Sequence, residues 1–326
     1  LFDWKRSDKI GSKVASDESS PATALLRRRS SNDRGTKSVE MSAMSNIIAN
    51  DATIETIGSG FFFTEGPVWD AAHDCLHFSD IPANIIHKWQ PDSGLSVFRS
   101  PSGKSNGLTR DRDGRLIVCE HAGRRVSRIE NDGAATTIAS HYKGRRLNSP
   151  NDVVVKSDGS IYFTDPPYGL NPTYGVAEYP ELDFAGVYRV APDGSEIAVV
   201  AADCTPNGLA FSPDEKRLYV ADTEENHVLV YDVDPDGGLS GGRVFAQLSG
   251  SPLAPDGIKV DRDGHVFVTG AGGVWVFEPG GVRLGIIPVP ELPANLAWGD
   301  ADWSTLYITA RTSVYRVRTK TAGLPV

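Results

Sequence analysis

From about residue 52 onward the chain is built of short stretches in which apolar and polar residues alternate, broken by Gly, Pro, Asp and Asn. A period of two is the mark of a half-buried strand, and the breaking residues are those that tight turns require. The stretches recur six times in one pattern. A polar residue, usually followed by Gly, opens a strand; a turn and a second strand follow. The openings are Glu65-Gly66-Pro67-Val68-Trp69, Asn106-Gly107-Leu108, Asn151-Asp152-Val153-Val154-Val155, Asn207-Gly208-Leu209-Ala210-Phe211, Asp256-Gly257-Ile258-Lys259-Val260 and Asn295-Leu296-Ala297-Trp298. Their lead residues lie 41, 45, 56, 49 and 39 positions apart, and each second strand ends 14 or 15 residues after its lead.

Third strands are predicted at 85–89, 125–129, 187–190, 228–233, 274–277 and 314–317, and fourth strands in five units, for example at 95–98, 135–139 and 243–248. Four strands in a repeat of about 40–50 residues is the signature of a propeller blade. The sixth unit ends after its third strand, and the alternating stretch Ala52–Ile57 can supply the fourth. The expectation is an all-β, six-bladed β-propeller with four antiparallel strands per blade, its ring closed by an N-terminal strand.

Composition sharpens this. At 326 residues, length alone suggests about two domains of roughly 150 residues; the repeat replaces that with one propeller over residues 46–326. The 33 glycines fall largely in turns such as Asp111–Gly114 and beside the lead residues, where the sequence predicts a sharp backbone bend. Residues 1–45, rich in Ser, Arg, Asp and Lys, read as a disordered leader or a non-native extension, with Met41 or Met44 as a plausible true start. No apolar run approaches the ~18 residues of a membrane span, so a soluble protein with no membrane partner is expected. The net charge is −9, and residues 1–45 hold nine Lys/Arg against six Asp/Glu. The body is therefore strongly acidic, which argues against a nucleic-acid partner. Three widely spaced cysteines (Cys75, Cys119, Cys204) fit neither a disulfide framework nor a zinc knuckle and favour buried thiols and a cytoplasmic location. Oligomeric state leaves no trace in the sequence.

In a propeller the first strand of each blade lines the central channel, so the six lead residues should converge at one mouth of it. All six carry a side-chain oxygen. Two carboxylates among amide carbonyls form a hard-oxygen cage for one divalent cation, Ca²⁺ first, with Mg²⁺, Mn²⁺ or Zn²⁺ as alternatives. The competing reading, that loops simply favour Asn, Asp and Gly, explains one or two positions but not six in register. Asp232-Val-Asp234-Pro-Asp236-Gly237 opens like an EF-hand, but Arg243 stands where the bidentate Glu belongs, so it reads as a turn. His121 follows the inner strands of blade 2 and could face the mouth or simply be packed, an ambiguity Arg124 and Arg125 share. The insertion Pro166–Gly186, with Tyr168, Tyr174 and Tyr179, could wall a pocket or be an ornamental loop.

Four motifs carry a family likeness. Thr64–Trp69, Arg146-Leu147-Asn148-Ser149-Pro150-Asn151-Asp152, Thr205-Pro206-Asn207-Gly208-Leu209 and Pro255-Asp256-Gly257 resemble the gluconolactonase / senescence-marker-protein (regucalcin) / luciferin-regenerating family, most of all its bacterial gluconolactonase-like branch. The likeness spans roughly residues 52–317. It implies a six-bladed propeller with one divalent cation, usually calcium, held by Glu65, Asn151, Asn207 and Asp256, with Asp256 also the general base. Regucalcin-like animal members carry Arg two residues before the Asn of the second repeat; Lys104 stands here, so their substrate preference does not transfer.

The resulting expectation is a metal-dependent lactonase acting on a small sugar lactone such as gluconolactone. The cation would polarise the carbonyl, Asp256 would take a proton from water, and Asn106, Glu120, His121 and Tyr168 would bind substrate hydroxyls. The alternatives are a metal-dependent hydrolase of other esters or phosphotriesters on the same site, and a non-enzymatic binding propeller.

Overall fold

The computed structural model describes residues 44–249 and 255–325. The expectations for residues 1–43 lie outside the described residues. Met44 and Ser45, assigned to the leader from sequence, belong with the propeller. Met44 packs against the core shared by blades 1, 5 and 6, and Ser45 accepts a hydrogen bond from Lys320 Nζ at 2.7 Å.

The described strands form six four-stranded antiparallel sheets, five of them in simple meander order and the sixth completed by the first strand of the domain. Blade 1 comprises Thr64–Asp70, Cys75–Asp80, Ile85–Gln90 and Gly94–Arg99. Blade 2 comprises Ser105–Arg110, Leu116–Glu120, Arg125–Ile129 and Ala135–Ala139. Blade 3 comprises Val153–Val155, Ile161–Thr164, Val187–Val190 and Ile197–Ala201. Blade 4 comprises Pro206–Phe211, Arg217–Asp222, His227–Val233 and Leu239–Gln247. Blade 5 comprises Ile258–Val260, Val266–Gly270, Gly273–Phe277 and Arg283–Pro288. Blade 6 comprises Asn295–Gly299, Thr305–Ala310 and Ser313–Arg318, completed by Glu55–Ser59 from the start of the domain. A small hairpin, His141–Tyr142 with Arg145–Arg146, links blades 2 and 3.

The closing strand lies slightly later than the alternation of residues 52–57 predicts. A bulge between Thr56 and Gly58 shifts its register against Ser313–Arg318. First strands of successive blades pack side by side around the ring, including the sixth against the first. Burial falls from the axis outward: Thr64–Asp70 is buried throughout, whereas Gly94–Arg99 is largely exposed.

Hydrophobic clusters fill the wedges between neighbouring blades. Aromatic pairs give them shape: Trp69 stacks on Tyr307 with centroids 5.2 Å apart, and Phe163 stacks on Tyr188 at 5.2 Å. Such pairs add about 0.5–1.5 kcal/mol beyond their area burial. Cys75 and Cys119 are buried free thiols, while Cys204 is only partly covered. Among the described residues, no helix is long and apolar enough to cross a membrane.

Candidate functional site

The local chain geometry explains the lead-residue motif. In blades 1, 2 and 4 the register of the first two strands slips between Glu65 and Val68, Ser105 and Leu108, and Pro206 and Leu209. Each slip is a bulge at the lead-residue–Gly pair, and a bulge re-aims the side chain it carries. Gly66 makes the expected bend, with a φ of +52°, but other glycines beside the leads have a different cause. Gly107 and Gly208 have ordinary φ; a Cβ on Gly107 would lie 2.6 Å from the Asn151 carbonyl oxygen, and one on Gly208 2.4 Å from that of Asp256. Only glycine allows the next blade's lead residue to approach so closely.

Hydroxyls on the second strands hold the leads from behind. Ser79 Oγ donates to Asn106 O (2.8 Å), Thr309 Oγ1 to Asn295 O (3.2 Å), and the Asp152 amide donates to Thr164 Oγ1 (3.0 Å).

Glu65, Asn106, Asn151 and Asn295 are almost wholly buried, Asn207 nearly so, and Asp256 half-buried. Glu65 accepts from the Gly66 amide at 2.8 Å, yet burial pushes its carboxyl up to about 7. Burial, together with the facing carboxylates of Glu65 and Asp152, raises Asp256 well above the usual carboxylate range. Asp152, which sequence reasoning missed, is thus a third acid of the same group. It receives Asn295 Nδ2 at 3.4 Å and lies 4.0 Å from Lys259 Nζ. Its signal was legible: Asp152 stands where four other blades place glycine.

Hydrogen bonds fix two of the amides. Thr223 Oγ1 donates to Pro255 O at 2.7 Å and so accepts from Asn207 Nδ2 at 3.1 Å, which leaves Asn207 Oδ1 an acceptor with no partner among the described residues. His121 plays the matching part for Asn106, with His121 Nε2 3.2 Å from Asn106 Nδ2. The Asn151 side chain has no hydrogen-bond partner among the described residues, although only 5% of the residue is exposed.

The remaining predicted residues divide. Tyr168 sits on the single-turn 3-10 helix Pro167–Gly169; its hydroxyl is buried near Asp256 and Glu224 without a hydrogen-bond partner among the described residues, and burial raises its pKa. The insertion therefore walls the mouth. Glu120 does not join the group: Arg125 Nε holds one of its oxygens at 2.9 Å and Ser127 Oγ the other at 2.5 Å. Lys104 ties down the insertion, donating to Pro172 O at 2.6 Å and Thr173 O at 2.9 Å. Arg124, buried, donates to Leu147 O at 2.8 Å and pairs with Glu178 at 2.7 Å, anchoring the same segment. Among the described residues, two other clusters bring His, Cys or Asp ligand atoms together, Asp70/Cys75/His77 and Asp261/Asp263/His265, and neither contains a lead residue.

A six-bladed propeller with one acidic, oxygen-rich mouth is the class that fold and site define. Within it, the SMP-30/Gluconolactonase/LRE-like region matches residues 63–312, and the chain belongs to that family. It is 37% identical over 294 residues to the gluconolactonase of Zymomonas mobilis, covering 83% of this chain and 82% of that one. It is 30% identical over 254 residues to pentonolactonase XacC of Haloferax volcanii, covering 75% and 80%. Among solved structures, the gluconolactonase XC5397 from Xanthomonas campestris superimposes with a TM-score of 0.81 at 38% identity, covering 85% of this chain and 92% of that one.

Proposed function

We propose that the protein hydrolyses small sugar lactones at the mouth of its propeller, with a divalent cation held by Glu65, Asn151, Asn207 and Asp256. The carrying observation is the charge balance of the group: the buried carboxyl groups of Glu65 and Asp152 and the half-buried one of Asp256 face one another, with Lys259 as the nearby cation at 4.0 Å from Asp152. Burial of several carboxylates is costly unless positive charge compensates them. The Oδ1 of Asn207 and the amide of Asn151, both without a hydrogen-bond partner among the described residues, complete an oxygen-only donor set that suits Ca²⁺. Bound there, such an ion would keep the acids ionised and polarise an ester carbonyl.

The chain's own residues then supply the proton chemistry. Asp256 accepts a proton from the water that adds to the lactone carbonyl carbon. The ring C–O bond breaks, the ring oxygen leaves as a hydroxyl after taking up a proton, and an open-chain hydroxy acid results. Asn106 and the Tyr168 hydroxyl contact substrate hydroxyls. The names of the relatives, gluconolactonase and pentonolactonase, support this substrate class. The test is gluconolactone hydrolysis above the uncatalysed rate: Asp256→Asn should lower kcat by at least about a hundredfold. Retention of full activity would refute the assignment.

A further inference from the structure

His121 is 2% exposed and sits between the site and the insertion. Its Nδ1 lies 3.0 Å from the carbonyl oxygen of Tyr174. A carbonyl can only accept, so Nδ1 carries the proton and Nε2 is left with a lone pair. The Asn106 side chain must therefore turn its NH₂ toward Nε2, 3.2 Å away, and its Oδ1 the other way. Burial holds the imidazole neutral, with its pKa lowered to about 4, so this pattern persists at neutral pH.

The insertion leaves the ring little freedom. A Cβ at Gly169 would fall 2.5 Å from His121 Cγ, so the backbone of the 3-10 turn lies directly on the imidazole. Gly169 is itself pinned: its amide donates to Ser149 Oγ at 2.8 Å, and its carbonyl accepts from Val176 N at 3.0 Å. Asn171 Oδ1 accepts from the amides of Thr173 and Tyr174 at 3.0 Å each, which aims the Tyr174 carbonyl.

We propose that His121 is a positioning residue, clamped by the insertion, that fixes the Asn106 amide with Oδ1 as acceptor and so makes the site select lactones that offer a hydroxyl donor. This rests on the lactonase reading above. An amide free to rotate would offer either end to the substrate; a fixed one commits one N–H to His121 and always presents Oδ1 as acceptor. His121 thus acts through Asn106, without touching substrate itself.

Two variants separate positioning from packing. In His121→Asn the side chain can still reach the Tyr174 carbonyl but not Asn106. In His121→Gln a carbonyl oxygen can still accept from Asn106. Kinetics are measured on glucono-δ-lactone, which bears hydroxyls, and on δ-valerolactone, which bears none. For His121→Asn, KM for gluconolactone should rise about tenfold, the worth of roughly one hydrogen bond, while KM for valerolactone changes by less than about threefold. His121→Gln should restore most of the discrimination. Nitrogen-15 NMR of the wild-type imidazole should show the proton on Nδ1. Equal losses in the two variants, equal losses on the two lactones, or a proton on Nε2 would each overturn the proposal. Wild-type protein inactive on both lactones would instead bring down the lactonase reading beneath it.

Discussion

The amide of Gly107 donates to the carbonyl oxygen of Asn151 across the boundary between blades 2 and 3, at 2.7 Å. The same contact recurs between Gly208 and Asp256 at 3.1 Å, so adjacent blades are joined at the residues of the site. Gly107→Ala would force a methyl group to within 2.6 Å of both the Asn151 carbonyl and the Asp152 Cα. We expect a stability loss of roughly 1–3 kcal/mol, the usual cost of overpacking, with a larger fractional loss of activity because Asn151 and Asp152 are displaced. Urea unfolding and kinetics on the same sample check this, and an unaffected variant would contradict the close-approach explanation.

Ring closure depends on backbone pairing more than on charge. Arg316 Nε donates to Glu55 Oε2 at 2.8 Å, but that glutamate is 57% exposed. Glu55→Gln should therefore cost less than about 1 kcal/mol. Removing residues 55–59 bares the edge of Ser313–Arg318 over residues 313–316, and an unpaired edge invites aggregation. Truncation should abolish cooperative unfolding or cause association detectable by light scattering, while the point variant unfolds as the wild type does.

Tyr168 separates stability from binding. Its hydroxyl is buried with no well-formed hydrogen bond among the described residues, so the fold gains little from it. Tyr168→Phe should be as stable as wild type or more so, yet show a KM for gluconolactone raised about threefold to tenfold. An unchanged KM would remove Tyr168 from the substrate contacts.

His77 gives a pH prediction away from the site. It is buried with neither ring nitrogen partnered among the described residues, and burial with the nearby Arg110 lowers its pKa to about 4 from 6.5. Above pH 6.5 it is neutral in both states and carries no linkage. As pH falls from 6.5 toward 4 the unfolded chain binds a proton that the folded one refuses, so stability is lost over that window. The limiting slope is about 1.4 kcal/mol per pH unit. His77→Leu should reduce the acid slope of the unfolding free energy by up to that amount. Identical slopes in the two proteins would refute it.

The blades were legible because their period-two alternation and their turns repeat; the third strand Arg125–Ile129 and the fourth strand Ala135–Ala139 fall where the pattern places them. Lead residues were legible for the same reason. Glu120 was not, because its role is fixed by Arg125 and Ser127 across the blade, a pairing that spacing does not reveal. Asp152 was visible only as a break in a glycine column. The part of His121 depends on the Tyr174 carbonyl, 53 residues away on an irregular insertion. No periodicity encodes such a contact.

In the proposed mechanism the axial oxygens work with a bound divalent cation. The most direct measurement is gluconolactone hydrolysis, followed by proton release, for protein stripped with chelator and then titrated with Ca²⁺, Mg²⁺, Mn²⁺ or Zn²⁺. The stripped protein should fall to the uncatalysed rate and recover on readdition, with saturating ion at about a hundred times Kd also raising stability by about 2.7 kcal/mol. Full activity in the stripped protein, with no ion detected by elemental analysis, would contradict it.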